Sequence, residues 1–502
     1  MPEPYYITTA INYPNGPPHI GHAYEAIAAD VIARFRRAQG FDVRFQTGTD
    51  EHGLKMAQAA RAEDLEPRFF ADKMSKLFKQ MDEQLNISYD HFIRTSEETH
   101  HSASQAIWNA MAKRGDLYLG RYEGWYSVRD EAYYDEDELS EGEGGEKLSP
   151  QGTPVEWTVE ESWFFRLSAY QQKLLDHYSA NPDFIRPETR RNEVVRFVEG
   201  GLSDLSISRT SFDWGVKVPG SEGHVMYVWL DALTNYITGL GYPEGTELWR
   251  RFWPADVHLI GKDVVRFHAV YWPAFLMSAG IALPKQVYGH GFLLSRGEKM
   301  SKSVGNVVDP MALAERFGVD QLRYFLMREV PFGQDGSYSA EAIVTRVNAE
   351  LANSFGNLAQ RSLSMIYKNL DGVIPAPGED ETDRELLATV DRAIEELGAR
   401  FDEFSFSAGL EAWMGTVFAC NAYIDAMAPW ALRKSDPERM ADVLGTLVAA
   451  IRKLAKAVVP VIPASADKLI EVIDSALQGG LDQPAPIFPR LELDDEEEGE
   501  AA

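Results

Sequence analysis

The chain has 502 residues, too many for one hydrophobic core, so its length predicts two to four domains. Hydrophobic residues make up 45% of it and charged residues 25%, a balance that excludes an intrinsically disordered chain. The formal net charge of −28 argues against a nucleic-acid partner, but whole-chain charge is a weak guide to the local potential that phosphate binding needs. The possibility that this protein never contacts RNA therefore stays open at this point.

No uninterrupted apolar run is long enough to cross a bilayer, and the N-terminus lacks the layout of a signal peptide. Cys420 is the single cysteine, which excludes a disulfide framework and a four-cysteine zinc site within the chain. A reducing compartment is its natural setting. We therefore expect a cytoplasmic protein.

The first fifty residues have the pattern of a strand–helix–strand unit. Residues 5–10 are apolar and β-branched, and residues 12–18 form a turn rich in proline and glycine. A helical pattern starts at His19, and residues 43–47 predict a second strand. Such a unit is typical of a parallel, doubly wound sheet. The apolar positions that predict the helix are Ile20, Ala23, Ile27, Val31 and Phe35.

Later segments complete the predicted architecture. Residues 225–229 and 257–260 predict two more strands, each followed by a helix, whereas residues 118–219 have short aromatic strands and charged turns. The fold class we predict is α/β: a Rossmann-like, doubly wound parallel sheet split by an inserted subdomain, then a C-terminal α-helical bundle. The predicted boundaries are 1–117 and 220–290 for the two halves of the sheet domain, 118–219 for the insertion, 291–340 for a connecting region, 341–485 for the bundle and 486–502 for an acidic tail.

A candidate phosphate-binding turn, residues 17–22, lies where the first strand meets its helix. Helix N-termini offer unpaired N–H groups and a partial positive charge. Gly21 permits close backbone approach, and His19 and His22 can both point at the same phosphates. The pattern alone is a weak indicator, and a capping turn with two exposed histidines is the alternative.

A second candidate is the lysine loop, residues 299–303 (Lys-Met-Ser-Lys-Ser), flanked by Gly297 and Gly305. Two lysines in a glycine-bounded loop can close over a triphosphate and neutralise departing pyrophosphate. The alternative is a solvated surface turn. Neither a Walker-type loop nor a dinucleotide-binding glycine motif competes with it.

Together, the turn at His19–His22 and the later lysine loop resemble the two signatures of class I aminoacyl-tRNA synthetases. The resemblance implies that the first binds ATP and stabilises adenylate formation, and that the second closes on the phosphates, with Mg²⁺ accompanying ATP. Asp263 is a candidate for the ribose hydroxyls, with a helix cap as the alternative. The implied catalytic residues are His19, His22, Lys299 and Lys302, and the implied ATP-binding residues are these four with Gly21, Gly261, Asp263 and Ser301.

The sequence is most similar in pattern to the methionyl-tRNA synthetase family. Synthetases for isoleucine, leucine and valine carry a larger editing insertion than residues 118–219, and the cysteine enzyme holds a zinc largely through cysteines. A thioether suits soft, aromatic walls. For Trp229 and Trp272, ordinary core packing is the alternative. The implied methionine-binding residues are Ala10, Ile11, Tyr13, Asp50 (for the ammonium), Trp229, Ala232, Leu233, Tyr236, Val264 and His268.

The bundle resembles the anticodon-binding domain of the same family, and region 291–340 its stem-contact region. Asn353, Asn357 and Arg361 have the spacing of one α-helical face, and Trp430 follows a proline. Amides beside a stacking tryptophan can recognise single-stranded RNA. The alternative is two surface amides and one core tryptophan. The implied partner is methionine tRNA, both initiator and elongator.

Two departures from the family pattern bear on metal and assembly. Many relatives carry a four-cysteine zinc knuckle, but residues 124–131 contain no cysteine, so we expect no structural zinc or other metal site. Many relatives also end in a dimerising barrel, and here an acidic tail follows the bundle, so we expect a monomer. Two rival functions remain: a small-acid nucleotidyltransferase, which would lack the bundle, and a non-catalytic binding protein, in which the signatures would have decayed.

Overall fold

The computed structural model describes residues 2–130, 132–142, 145–295 and 307–493. The lysine loop at residues 299–303 and the predicted acidic run from Asp494 lie outside the described residues. The described chain forms two compact units. The first comprises Met1–Pro18, Gln39–Glu83 and Ile87–His290, and the second comprises His19–Ala38, Gln84–Asn86 and Gly291–Ala502.

The part of the chain before residue 290 contains both strands and helices. Short 3₁₀ turns at Glu136–Glu138, Leu167–Tyr170 and Lys262–Val264, and a π-helix at Phe267–Tyr271, interrupt the regular elements. The elements are β1 Pro4–Thr9, α1 Ile20–Ala38, β2 Asp42–Thr49, α2 Leu54–Ala62, α3 Pro67–Gln84, β3 His91–Arg94, α4 Glu98–Arg114, β4 Leu117–Ser127, β5 Ala132–Tyr134, β6 Ser140–Glu141, β7 Lys147–Leu148, β8 Glu156–Phe165, α5 Gln171–Ala180, β9 Ile185–Arg186, α6 Glu188–Glu199, β10 Leu205–Ser206, β11 Ser208–Arg209, β12 Val225–Met226, α7 Val228–Thr238, α8 Glu247–Phe252, β13 Val257–Gly261, α9 Trp272–Ala279 and β14 Val287–His290.

Beyond residue 290 the described chain is mostly helical. A second π-helix, Val347–Gly356, leads directly into α13. The elements are β15 Leu293–Ser295, α10 Pro310–Phe317, α11 Val319–Glu329, β16 Gly336–Tyr338, α12 Ala340–Arg346, α13 Asn357–Asn369, α14 Glu381–Asp402, α15 Phe406–Met427, α16 Pro429–Ser435, α17 Pro437–Val458 and α18 Pro463–Gly479. The predicted C-terminal helical bundle is confirmed.

Within the described residues, a six-stranded sheet has the order β3-β2-β1-β13-β14-β9, and every pair in it is parallel. The predicted Rossmann-like α/β class is therefore confirmed. The chain leaves β1 for β2 on one side and later returns to β13 on the other. That arrangement is a topological switch point, where ligands bind outside the carboxyl ends of the strands. At Gly48 a Cβ atom would lie 2.1 Å from the Ile93 carbonyl oxygen, so only glycine fits there.

The strand predicted at residues 225–229 is wrong in its second half. Only Val225 and Met226 are extended, and they pair antiparallel with β11 rather than joining the parallel sheet. Helix α7 already begins at Val228. Valine and tryptophan favour strands by local preference, but burial of the helix in the core outweighs that preference.

The predicted insertion has its own antiparallel sheet, β10-β8-β4-β5. Phe165, Leu167 and Tyr170 are buried in a hydrophobic core that they share with Phe275 of α9. Ile185–Arg186, which the sequence pattern put inside the insertion, pairs in parallel with β14 of the six-stranded sheet. The chain thus returns briefly to the main sheet before the insertion's predicted end.

In the second unit, a buried arginine connects elements that are distant in sequence. Arg323 on α11 is fully buried, and its guanidinium lies 2.6 Å from the Asp30 carboxylate on α1. It also donates to the carbonyl oxygens of Pro460, Val461 and Leu85. These bonds satisfy a charge that would otherwise be costly to bury. No helix among the described residues is long and apolar enough to cross a membrane.

Candidate functional site

Loops that follow parallel strands supply one group of candidate residues. Because the carboxyl ends of parallel strands meet at one edge of a sheet, the loops after β1, β2 and β13 begin at the same edge. The Asp50 amide donates to the Asn12 carbonyl oxygen at 2.8 Å, which joins the first two loops. The residues there are Ala10, Ile11 and Tyr13 after β1, Asp50 after β2 and Val264 after β13.

Helix α7 presents its candidate residues along one side. Trp229, Leu233 and Tyr236 recur at four- and three-residue steps, which places them on one helical face. Trp229 stacks on Phe267 with ring centres 3.8 Å apart and planes 5° apart. The partly buried Ala10, Tyr13, Trp229 and Val264 pack against one hydrophobic core, to which Leu233 and Tyr236 belong. We call the predicted set Ala10, Ile11, Tyr13, Trp229, Ala232, Leu233, Tyr236, Val264 and His268 the apolar slot.

His268 is held neutral in a defined tautomer. It lies in the π-helix Phe267–Tyr271, a geometry often found at functional sites. Its Nδ1 is 2.9 Å from the Val264 carbonyl oxygen, which can only accept, so Nδ1 carries the proton. Its Nε2, 2.6 Å from the Tyr236 hydroxyl, therefore accepts. Burial lowers the pKa of His268 to about 4.

Asp50 stands on a firmly held loop, residues 50–53. The next carboxylate, Glu51, is fully buried and accepts from Arg94 Nε at 2.8 Å and from the Thr49 hydroxyl at 2.7 Å. Asp50 itself is only 7% exposed. A carboxylate on this loop, which begins at the same sheet edge as the loop carrying Ala10, Ile11 and Tyr13, is a fitting counter-ion for an ammonium group.

The candidate phosphate turn, in the second unit, has two stacked imidazoles. The rings of His19 and His22 have centres 3.7 Å apart. His19 Nδ1 accepts from the Gly21 amide and His22 Nδ1 accepts from the His19 amide, each at 3.1 Å. Because each Nδ1 atom accepts from a backbone amide, the ring proton that can donate elsewhere lies on Nε2. Both rings can therefore donate from Nε2, the kind of group that binds phosphate oxygens.

Gly261 and Asp263, in the first unit, lie at the end of β13. Gly261 is the N-cap of the 3₁₀ turn Lys262–Val264, so the alternative interpretation of Asp263 as the helix cap is wrong. Asp263 is exposed. A Cβ atom on Gly261 would come within 2.8 Å of the Asp263 carboxylate, so glycine leaves that carboxylate room.

The candidate RNA-reading residues lie on the helical bundle. Asn353 and Asn357 are exposed, and Trp430 is 49% exposed at the start of α16. Arg361 lies with its guanidinium carbon 5.6 Å from the Trp430 ring centre and donates to Asp425 at 2.8 Å. Asn353 belongs to the π-helix, so the α-helical spacing rule that predicted a shared face does not apply to it. The core-packing alternative for Trp430 is wrong.

Comparison with known proteins identifies the family. The family described as "tRNA synthetases class I (M)" matches residues 5–363, and the "anticodon binding domain of methionyl tRNA ligase" matches residues 374–486. The methionine–tRNA ligase of Brucella suis is 59% identical, covering 99% of both chains. The chain belongs to the methionyl-tRNA synthetase family.

Solved structures of this family have the same fold. Mycobacterium tuberculosis methionyl-tRNA synthetase in complex with methionyl-adenylate superimposes with a TM-score of 0.94 at 56% identity, covering 97% of this chain and 100% of that one. The apo form of the same enzyme superimposes with a TM-score of 0.87 at 52% identity, covering 98% and 99%. The second family signature in this chain, with Lys299, Ser301 and Lys302, lies outside the described residues.

The segment 124–131, which lacks the cysteines of a zinc knuckle, ends at a hydroxyl–carboxylate cluster around Asp130. One oxygen of Asp130 accepts from Ser149 at 2.6 Å, Thr153 at 2.5 Å and Tyr134 at 3.0 Å. The Ser127 and Thr153 hydroxyls are 2.7 Å apart. Among the described residues, no group of histidine, cysteine, aspartate and glutamate side chains could hold a metal ion. Hydrogen bonds hold this turn.

Sequence reasoning missed a buried polar cluster behind the slot. Asp231 lies 2.7 Å from both His52 and His100. The sequence did give one indication: His52 stands two residues after Asp50, and Asp231 stands between Trp229 and Ala232, all three of them predicted substrate-binding residues. His100 is 131 residues from Asp231, and no local pattern points to it.

Trp272, for which the sequence left core packing as the alternative, is fully buried in the core.

Proposed function

We propose that this chain, a methionine–tRNA ligase by family, binds the side chain of L-methionine in the apolar slot. A thioether is apolar and polarizable, and aromatic rings suit it. Trp229 and Phe267 supply a stacked aromatic wall beside the neutral His268. The hydrogen bond between Tyr236 and His268 is the observation that carries the proposal, because it orients a polarizable ring that burial keeps uncharged.

Asp50 binds the substrate ammonium in this proposal. The carboxylate is almost completely buried, and the loop that carries it is fixed by backbone and side-chain hydrogen bonds. An ammonium–carboxylate pair removed from water is stronger than an exposed one. Pairing at Asp50 with the side chain in the slot leaves the substrate carboxylate to react.

The reaction is the activation of methionine with ATP. An oxygen of the methionine carboxylate attacks the α-phosphorus of the ATP–Mg²⁺ complex, and pyrophosphate leaves. We assign Nε2–H of His19 and of His22 as donors to the phosphate oxygens, on which charge builds during displacement. By family resemblance, Gly261 and Asp263 bind the nucleoside, and Lys299, Ser301 and Lys302 bind the phosphates.

The second step transfers methionine to the tRNA. A hydroxyl of the 3′-terminal adenosine attacks the carbonyl carbon of the adenylate, and AMP leaves. We assign anticodon binding to Asn353, Asn357, Arg361 and Trp430, because the two amides and the tryptophan ring are accessible and Arg361 packs beside that ring. The tRNA partners are initiator and elongator methionine tRNAs. We further propose a cytoplasmic monomer.

Amino-acid-dependent ATP–pyrophosphate exchange tests the proposal. Exchange should occur with methionine and fail with the other nineteen amino acids. Norleucine, in which a methylene replaces sulfur, measures how strongly the slot discriminates sulfur from a methylene group. We expect kcat/KM for norleucine to be at least about tenfold lower than for methionine. Absence of exchange with methionine from folded protein would refute the assignment.

A further inference from the structure

Asp231 is a buried carboxylate with an imidazole on each oxygen. It lies in the first turn of α7 and is 0% exposed. His52 Nδ1 lies 2.7 Å from one oxygen, and His100 Nε2 lies 2.7 Å from the other. His52 follows β2 and His100 stands on α4, so one carboxylate connects three elements of the first unit.

The two imidazoles keep the buried carboxylate ionised. Burial alone would disfavour the ionised carboxylate, but the imidazoles outweigh it and hold the pKa of Asp231 well below its usual range. On its other side, His100 Nδ1 lies 3.0 Å from the Thr238 hydroxyl, also on α7. His100 is therefore bound to α7 through both of its ring nitrogens.

Asp231 lies on the back of α7, away from the slot. At about 100° per residue, Asp231 is about 200° around the helix from Trp229, and Thr238 is about 180° from it. Asn235, on the same side, accepts from Gln46 Nε2 at 2.9 Å, and Gln46 belongs to β2. Buried polar groups are costly unless they form hydrogen bonds. The polar side chains on this face of α7 therefore attach the helix specifically to β2, to α4 and to the loop that carries His52.

The His52 end of the cluster holds the Asp50 loop. The His52 carbonyl oxygen accepts from the Tyr13 hydroxyl at 2.8 Å. The neighbouring Glu51 carbonyl oxygen accepts from Trp214 Nε1 at 2.5 Å. Asp50 is thus two residues from a ring that is bound directly to α7.

We infer that Asp231, together with His52 and His100, is a positioning group that fixes the front of α7 relative to the Asp50 loop. The inference rests on the proposed slot. Trp229, Leu233 and Tyr236 bind the substrate side chain, and Asp50 binds its ammonium. Asp231 keeps these two contacts at the separation that methionine requires. It touches neither substrate nor reacting atoms.

The decisive measurement is the steady-state kinetics of pyrophosphate exchange by Asp231→Asn. The two imidazoles contact different oxygens of Asp231. Asparagine has only one side-chain oxygen, so its NH2 group would face one of the two imidazole N–H groups and that hydrogen bond would be lost. We expect the KM for methionine to rise about tenfold, equivalent to about 1.4 kcal/mol. The KM for ATP should stay within about twofold of the wild-type value, since the residues that Asp231 positions bind the amino acid.

A matched control separates positioning from general destabilisation. Asp116 accepts from Tyr170 at 2.5 Å and from Ser278 at 2.6 Å and joins structural elements of the same unit. Asp116→Asn should lower Tm without raising the KM for methionine. An unchanged methionine KM in Asp231→Asn, or an equal rise in both variants, would overturn the inference.

A second pair of variants keeps the test valid if Asp231→Asn fails to fold. The amide nitrogen of asparagine can stand near the position of Nδ1, so His52→Asn retains a donor toward Asp231, whereas His52→Leu does not. The methionine KM should be close to wild type in the first variant and about tenfold higher in the second. Equal values would refute the role. A wild-type protein without methionine-dependent exchange would instead refute the proposed slot itself.

Discussion

The hydroxyl of Tyr236 donates to Nε2 of His268 across 2.6 Å, and this bond determines the chemical character of the apolar slot. The other nitrogen of His268 is committed to the Val264 carbonyl oxygen. Burial lowers the pKa of His268 to about 4, so the ring is neutral near pH 7, and with its proton on Nδ1 the Nε2 atom accepts. The proposed slot would consequently offer its ligand two polarizable rings and no net charge from His268.

Tyr236→Phe should raise the KM for methionine about tenfold, because Nε2 of His268 loses its donor and an unsatisfied buried acceptor costs about 1–3 kcal/mol. Steady-state pyrophosphate exchange measures it. Tyr118→Phe is the control: its hydroxyl donates to Asp204 at 2.8 Å, and its loss should leave the methionine KM unchanged. Identical kinetics in Tyr236→Phe and wild type would contradict the assigned bond.

The stability of the protein should depend on pH through His268. Its pKa is about 4 in the folded protein, against an ordinary value of 6.5, so between these pH values the unfolded chain binds the extra proton. Stability from this group is fully present above about pH 6.5 and is lost as pH falls toward 4, by at most about 3 kcal/mol. Tm from pH 7.5 to 4.5 should fall less in His268→Gln than in wild type. All other histidines are common to both proteins, and equal falls would refute the assignment.

His22→Asn should reduce kcat for adenylate formation by about 10²–10³-fold, since it removes a donor to the phosphates. His22→Gln should retain more activity, because its amide nitrogen reaches near the position of Nε2. Presteady-state adenylate formation distinguishes them, with circular dichroism as the control for folding. If both variants lost activity equally, Nε2 would not be the donor.

Trp430→Ala should raise the KM for tRNA about tenfold, the effect of losing one stacked base, while pyrophosphate exchange stays at the wild-type rate. Phe418→Ala is the matched control, as Phe418 is 52% exposed on α15 of the same bundle. Loss of both reactions in Trp430→Ala, or equal effects in the two variants, would count against anticodon binding at this position.

Local sequence patterns were enough to predict much of the fold. The strand–helix–strand unit at the N-terminus has apolar periodicities that only one arrangement satisfies, and β1, α1 and β2 lie where predicted. At Val228 and Trp229 local preference was misleading, because burial in the core selects a helix. The π-helical segments are equally invisible, since one additional residue per turn barely alters an amphipathic pattern.

The candidate site, like the fold, could be predicted from the sequence only in part. Motif residues such as Asp50 and Trp229 were recognisable because each stands in a short characteristic string. The attachment behind them was not, because His52 and Asp231 are 179 residues apart and meet only in the folded chain. Hydrogen-bonded pairs of that separation are a property of the tertiary structure.

The π-helix Phe267–Tyr271 has a consequence for how this region tolerates insertions and deletions. Deleting one residue, for example Ala269, would permit an ordinary α-helix in place of a rarer and less stable geometry. The variant would gain local regularity, yet the residues before the deletion would be rotated by about 100° relative to the residues after it. His268 and Val264 would turn together, and the imidazole would no longer meet Tyr236. Insertions and deletions, which most helices tolerate at their ends, are therefore excluded within this segment. The π-helix is less stable than an α-helix of the same length, but it orients the His268 ring toward Tyr236.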